Sequence, residues 1–227
     1  MIKKFLFPCF LFLSFLYGCD SKTNTTSISD SKNDSIKKYL DYASNDTIAY
    51  EKRIKYNDKA LKFVDLKKND TLTRFYLNFI VYNYLSTNEW ICYKKTSKIY
   101  FQKSIKTKDT LGLARCYRYK ASFYRKTHVH DSSFYYYLKA EKFYKKTNDK
   151  IGLGLVYLNK SYLQYNMDDY LGSELSSKRA YHYIKNTKEY FNTYGCLVNL
   201  GNCYHNMRQY NKAIFFSKKA LIFAEKN

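Results

Sequence analysis

Cys92, Cys116, Cys196 and Cys203 are the nucleophile or metal-ligand candidates of the chain's polar body. Cys196 and Cys203 stand seven apart, which on one helix is about 10.5 Å of rise, too far for a disulfide. No Cys-x-x-Cys and no His-spaced partner accompanies them, so the pattern predicts no metal site and points to thiols buried in helix packing. His128-x-His130 lacks the further ligands zinc needs and reads as a turn. Asp168-Asp169 reads as a turn followed by a helix N-cap, not a catalytic carboxylate pair. The Gly152-Leu-Gly154 triplet has no Lys-Ser/Thr after it, so it is no phosphate loop; close helix packing explains it. No residue set predicts a catalytic site or a cofactor.

These residues must be positioned by helices. Of 227 residues, 7 are Gly and the one Pro is Pro8. A sandwich or barrel spends Gly and Pro on its turns, so the composition is helical. Asp70, Asp109, Asp149 and Glu189 recur at spacings of 39, 40 and 40, each after a Lys-rich helix end and before an apolar-periodic run. Asn69, Lys108, Asn148 and Lys188 precede them. Asn tolerates the left-handed conformation that ends a helix, and Asp accepts backbone hydrogen bonds that start the next. A fixed period in this range predicts a solenoid.

Inside each period lie two helical runs. The last reads LVNLGNCYHNMRQYNKAIFFSKKAL. Its Leu200, Gly201, Tyr204, Tyr210, Ala213 and Ala220 resemble the tetratricopeptide repeat; Arg208 departs from the family's Gly. Leu158, Tyr162, Tyr170, Ser173 and Ala180 repeat the pattern, as do Tyr119, Phe123, Ser133 and Ala140. Extra residues between the helices are expected to explain a period of 40. The stretch Thr71–Lys106 is a degenerate repeat, and 47–68 reads as a lone second helix. HEAT and armadillo units share the period but lack the Gly-x-x-Tyr signature. The resemblance, over residues 46–227, implies an all-α, right-handed solenoid of antiparallel helix pairs and a non-enzymatic protein-interaction module. It also implies a peptide groove on the first helix of each pair. Its candidates are Tyr117, Tyr124 and Arg125, then Lys160 and Gln164, then Asn202, His205 and Asn206.

The N-terminus has another layout. Lys3 and Lys4 precede an apolar core, Phe5 to Tyr17, too short to span a bilayer comfortably. Residues 1–18 read as a signal peptide. Leu16-Tyr17-Gly18-Cys19 resembles the lipobox of bacterial lipoproteins, which implies that Cys19 carries the lipid and that the protein is exported and membrane-anchored. Residues 19–45 form the lipid-anchored segment: a flexible tether, polar over Ser21–Ser35, leading into the first helix. As a whole the layout resembles the exported repeat half of Bacteroidetes-type sensor proteins, without their kinase or DNA-binding output.

Lys and Arg outnumber Asp and Glu 40 to 19, a net charge of +21. Residues 1–18 hold two Lys and no acid, so the remainder carries 38 − 19 = +19. That excess suits an anionic envelope polymer as an alternative partner. The secretory signal keeps the chain from nucleic acid. The final helix is apolar all round through Ile214, Phe215, Phe216, Leu221, Ile222 and Phe223, which predicts self-association through that face.

Overall fold

The computed structural model describes residues 26–226, so the signal segment and Cys19 lie outside the described residues. Ten helices follow in order among the described residues: α1 Thr26–Ser44, α2 Tyr50–Phe63, α3 Thr71–Ser86, α4 Trp90–Lys106, α5 Thr110–Lys126, α6 His130–Thr147, α7 Lys150–Asn166, α8 Tyr170–Ile184, α9 Tyr190–Asn206 and α10 Tyr210–Lys226. They pair as α1/α2, α3/α4, α5/α6, α7/α8 and α9/α10. The odd-numbered helices form one layer, A, and the even-numbered ones a second layer, B. Helices α2, α4, α6 and α8 also pack on the A helix that follows each. The core is accordingly a strip running along the array. It passes from Leu77, Ile80 and Tyr100 through Tyr137, Val156 and Ile184 to Leu200 and Tyr204, all nearly or wholly inaccessible. The protein is an all-α solenoid.

Punctuation follows a period of 20, half the repeat legible in the sequence. Asn88, Lys108, His128, Asn148, Asp168 and Arg208 all take positive φ, between 52° and 59°. Each reverses the chain in a short loop such as 127–129 or 167–169. Asp70, Asp109, Asp149 and Asp169 then cap the next helix, accepting from the backbone N–H of Thr73, Gly112, Gly152 and Gly172 at 2.7–2.9 Å. Glu189 departs from the expectation: one methylene longer, its carboxylate accepts from the Asn192 amide at 2.6 Å and makes no cap. Asn69 does not adopt the left-handed conformation expected of it.

Three further expectations are corrected. The loops carry no extra residues; the period of 40 comes from helices of 15–18 residues across α3–α10. The second helix at 50–63 is not alone. It pairs with α1, whose Ile36, Leu40 and Ala43 are buried against the array. Residues 26–35, read as tether, continue α1 toward its N-terminus. Ile36 begins an i, i+4, i+7 stripe that gives this polar helix a surface to bury.

Small residues set the approach of paired helices. Ser133 and Ala140, Ser173 and Ala180, and Ala213 and Ala220 are buried in α6, α8 and α10. A Cβ on Gly154 would come within 2.5 Å of Ile184 Cγ2, and one on Gly201 within 3.0 Å of Ser217 Oγ. Buried amides fix register between pairs. Asn199 Nδ2 donates toward Ser173 and Ser177 hydroxyls at 2.9 and 2.8 Å, and Asn57 Nδ2 donates to the Ile80 carbonyl at 3.0 Å.

Candidate functional site

The two layers are not equivalent. Successive A helices touch (α1 with α3, α3 with α5, α5 with α7, α7 with α9), whereas among the described residues successive B helices do not. Spacing is therefore tightest along layer A, which forms the inner wall; layer B is splayed, with furrows between its helices.

On the inner wall, α7 and α9 make a depression of about 220 Å³ lined by Tyr162, Phe191, Tyr194, Gly195, Val198, Asn199 and Asn202. Gly195 lets the Tyr162 hydroxyl approach the α9 backbone: a Cβ there would displace it. Phe191 is 75% exposed and Tyr194 38%, large apolar surface for side chains without a seat in the core. Asn202 is exposed beside them, and Asn206 donates from Nδ2 to Tyr165 Oη at 2.8 Å. Arg125 extends the wall to α5, its guanidinium 5.9 Å from the Tyr162 ring centre. The arrangement offers apolar contact plus amide donors and acceptors, the chemistry that holds an extended peptide.

Of the eight groove candidates, Asn202, His205 and Asn206 are exposed on α9, and Arg125 faces the neighbouring A helix. The other four are corrected. Tyr117 packs on Phe101, Tyr136 and Phe143, and Tyr124 stacks on Tyr136 at 5.5 Å, all of them on α4 or α6. Lys160 reaches over Phe134 of α6, and burial lowers its pKa. Gln164 donates to Asp169 and accepts from Ser176 of α8. All four point into layer B.

The reason is helical phase. Helices α5, α7 and α9 start 40 residues apart, so Asn202 corresponds to Tyr162, and Tyr204 to Gln164 and Tyr124. Matching Leu158–Tyr162 to Leu200–Tyr204 shifts α7 by two residues, about 200° of rotation, onto the opposite face. The recurrence of Asp109 and Asp149 would have given the right phase, and with it Tyr162, Phe191, Tyr194 and Val198, the residues that sequence reasoning missed.

The reactive residue types serve the fold. Cys196 and Cys203 are fully buried, and burial pushes the Cys196 thiol up to about 12, so it stays protonated at neutral pH. His128 makes a left-handed turn and His130 opens α6. Glu141 and Glu174 accept from the Tyr157 and Tyr204 hydroxyls at 2.9 and 2.7 Å. Burial works to raise both carboxyls, but the hydrogen bonds from Lys145 and Tyr157, and from Lys178 and Tyr204, outweigh it and hold them below the usual range. Among the described residues no group of His, Cys, Asp and Glu could hold a metal ion, and no helix is long and apolar enough to cross a membrane.

No protein-family model matches the sequence, and no curated protein matches it. Solved structures do. The crystal structure of BtubC (BKLC) from P. vanneervenii aligns over 87% of this chain and 89% of that chain, with a TM-score of 0.63 and 16% sequence identity. At that identity the likeness concerns the fold alone: the chain shares the helical architecture of that protein.

Proposed function

We propose that the protein is a non-enzymatic interaction scaffold of tetratricopeptide type that binds an extended polypeptide segment along the inner wall. The observation that carries this reading is the strip of Phe191, Tyr194, Val198 and Asn202 beside Tyr162. It combines exposed aromatic surface with the exposed Asn202 amide on an A-layer helix. The lipobox-like Leu16-Tyr17-Gly18-Cys19 adds export and a lipid anchor on Cys19, holding the scaffold at a membrane outside the cytoplasm. Mass spectrometry of the mature N-terminus tests the anchor; an unmodified chain beginning elsewhere than Cys19 contradicts it. Selection from a random peptide library against the protein tests the binding. Enriched peptides should lose about tenfold affinity or more on Phe191→Ala with Asn202→Ala, as expected for removing an aromatic anchor. Peptides insensitive to that pair, or none enriched, refute the inner-wall reading.

A second reading is self-association, supported by α10. Its Ile214, Phe215, Leu221 and Ile222 are each at least half exposed. Phe216 stacks on Tyr204 at 5.3 Å inside its own pair, so the repeat covers only part of the helix's apolar surface.

A further inference from the structure

The furrow between α4 and α6, floored by α5, differs from the other furrows of layer B in one respect. Elsewhere a carboxylate from a B helix accepts the hydroxyl proton of a tyrosine on the next A helix. Asp58 does so for Tyr84 at 2.6 Å, Glu141 for Tyr157 at 2.9 Å and Glu174 for Tyr204 at 2.7 Å. Tyr124 is the repeat counterpart of both Tyr84 and Tyr204. Lys98 stands one period of 40 along from Asp58, and Lys94 stands two periods, 80 residues, back from Glu174. Helices α4 and α5 carry five basic residues each and no acidic one.

The furrow's other cations are set by the same register. Lys120 lies 4.3 Å from the Tyr136 ring centre, Lys139 lies 5.6 Å from that of Tyr117, and Lys94 lies 5.4 Å from that of Phe123. The rings hold the ammonium groups without neutralising them. Among the described residues none of Lys94, Lys98, Lys120 and Lys139 pairs with a carboxylate. Lys94, Lys98 and Lys120 are exposed.

We propose that this furrow is a second docking surface, separate from the inner wall, for an acidic polypeptide segment whose Asp or Glu side chains take the place that Asp58 and Glu174 fill in the neighbouring repeats. The carboxylate would accept from the Tyr124 hydroxyl and lie among Lys94, Lys98 and Lys120. Apolar side chains of the same segment would meet the half-buried rings of Phe101, Tyr117 and Phe143. Charge complementarity selects the acid, and the internal precedent selects a carboxylate on a flexible side chain.

The probe is a short fluorescein-labelled peptide of Glu, Gly and Phe, titrated by anisotropy at about 0.15 M salt, where interactions beyond roughly 8 Å are screened. Expected is saturable binding that falls about tenfold or more on K94E with K98E, since both opposite charges are reversed. K94E alone should weaken binding without lowering the melting temperature, because it supplies Tyr124 with the carboxylate that Tyr204 already has. K218E with K219E, the same charge change on α10, should leave binding within about twofold, as should Phe191→Ala with Asn202→Ala, which separates this surface from the inner wall. Equal losses from both Lys pairs would overturn the proposal as diffuse electrostatics, as would no binding at all. Anionic phospholipid vesicles or polyphosphate competing for the furrow more tightly than the peptide would overturn the polypeptide as its occupant.

Discussion

Replacing Asp109 by Ala removes two interactions at once, which makes it a quantitative test of the repeat junctions. Its Oδ1 accepts from Gly112 N at 2.8 Å, capping α5, and its Oδ2 takes the Arg74 Nε at 2.9 Å, bridging α3 to α5. Loss of an N-cap costs about 1 kcal/mol. The ion pair is mostly buried, at 13% and 24% side-chain exposure, so it exceeds a fully exposed pair. Arg74 keeps its bond to the Asn69 carbonyl at 2.6 Å, however, and is not stranded. A further loss of about 1 kcal/mol follows. Asp149→Ala is the internal control: it caps Gly152 N at 2.8 Å and makes no ion pair among the described residues. Urea unfolding followed by circular dichroism should therefore show losses of about 2 kcal/mol for Asp109→Ala and about 1 kcal/mol for Asp149→Ala. In an Arg74→Met background the two should converge. Equal losses in the wild-type background would refute the contribution of the Arg74 bridge, and a loss below about 0.3 kcal/mol for either would refute its assignment as a junction cap.

Other outcomes follow from the same geometry. Arg208 holds φ 58°, a left-handed conformation that costs an L-residue about 1–2 kcal/mol, of which the greater freedom of unfolded Gly takes back about half; Arg208→Gly should stabilise by about 0.5–1 kcal/mol in a thermal melt, and destabilisation contradicts it. Ala180 is fully buried, so Ala180→Leu should cost about 1–3 kcal/mol, whereas Leu175→Lys at an exposed site of the same helix should stay within about 0.5 kcal/mol; equal effects would mean the α7/α8 seam is misplaced. The Glu174 carboxyl is held below its ordinary value in the fold, so its stabilisation is complete above the unfolded pKa of about 4.3 and fades as pH falls through the folded value; Glu174→Gln should flatten the acid limb of a stability–pH profile, and an unchanged limb contradicts that. Light scattering should show less self-association for Phe215→Lys with Ile222→Lys than for wild type, and a wild-type monomer at high concentration excludes that contact.

The period was legible because it is written in residues with strong local physics. Asp70, Asp109 and Asp149 cap, and Asn148 turns the chain, through backbone geometry that needs no tertiary partner. The small residues Ala140, Ala180 and Ala220 announced the seams for the same reason: nothing larger fits there. The turns at Asn88, His128, Asp168 and Arg208 were not legible as one device, because four different side chains occupy one backbone conformation imposed by the reversal. Helix α1 escaped notice because its first turns are polar and its apolar stripe starts at Ile36. Face assignments failed where they rested on a choice of register, off by one residue in α5 and by two in α7. In a chain with 27 Tyr, a tyrosine can be matched to either face, and only packing decides between them. The Tyr124 furrow was invisible for a related reason. Its signature is a missing carboxylate, seen only when Lys94 and Lys98 are superposed on Glu174 and Asp58.

Hydrogen–deuterium exchange of the full chain, with and without a library-selected peptide, tests the inner-wall scaffold most directly. The predicted result is new protection in the first turns of α9 around Phe191–Val198, and in α7 around Tyr162, with the outward faces of α6 and α8 unchanged. Protection confined to layer B, or spread evenly over the array, would contradict a binding site on the inner wall.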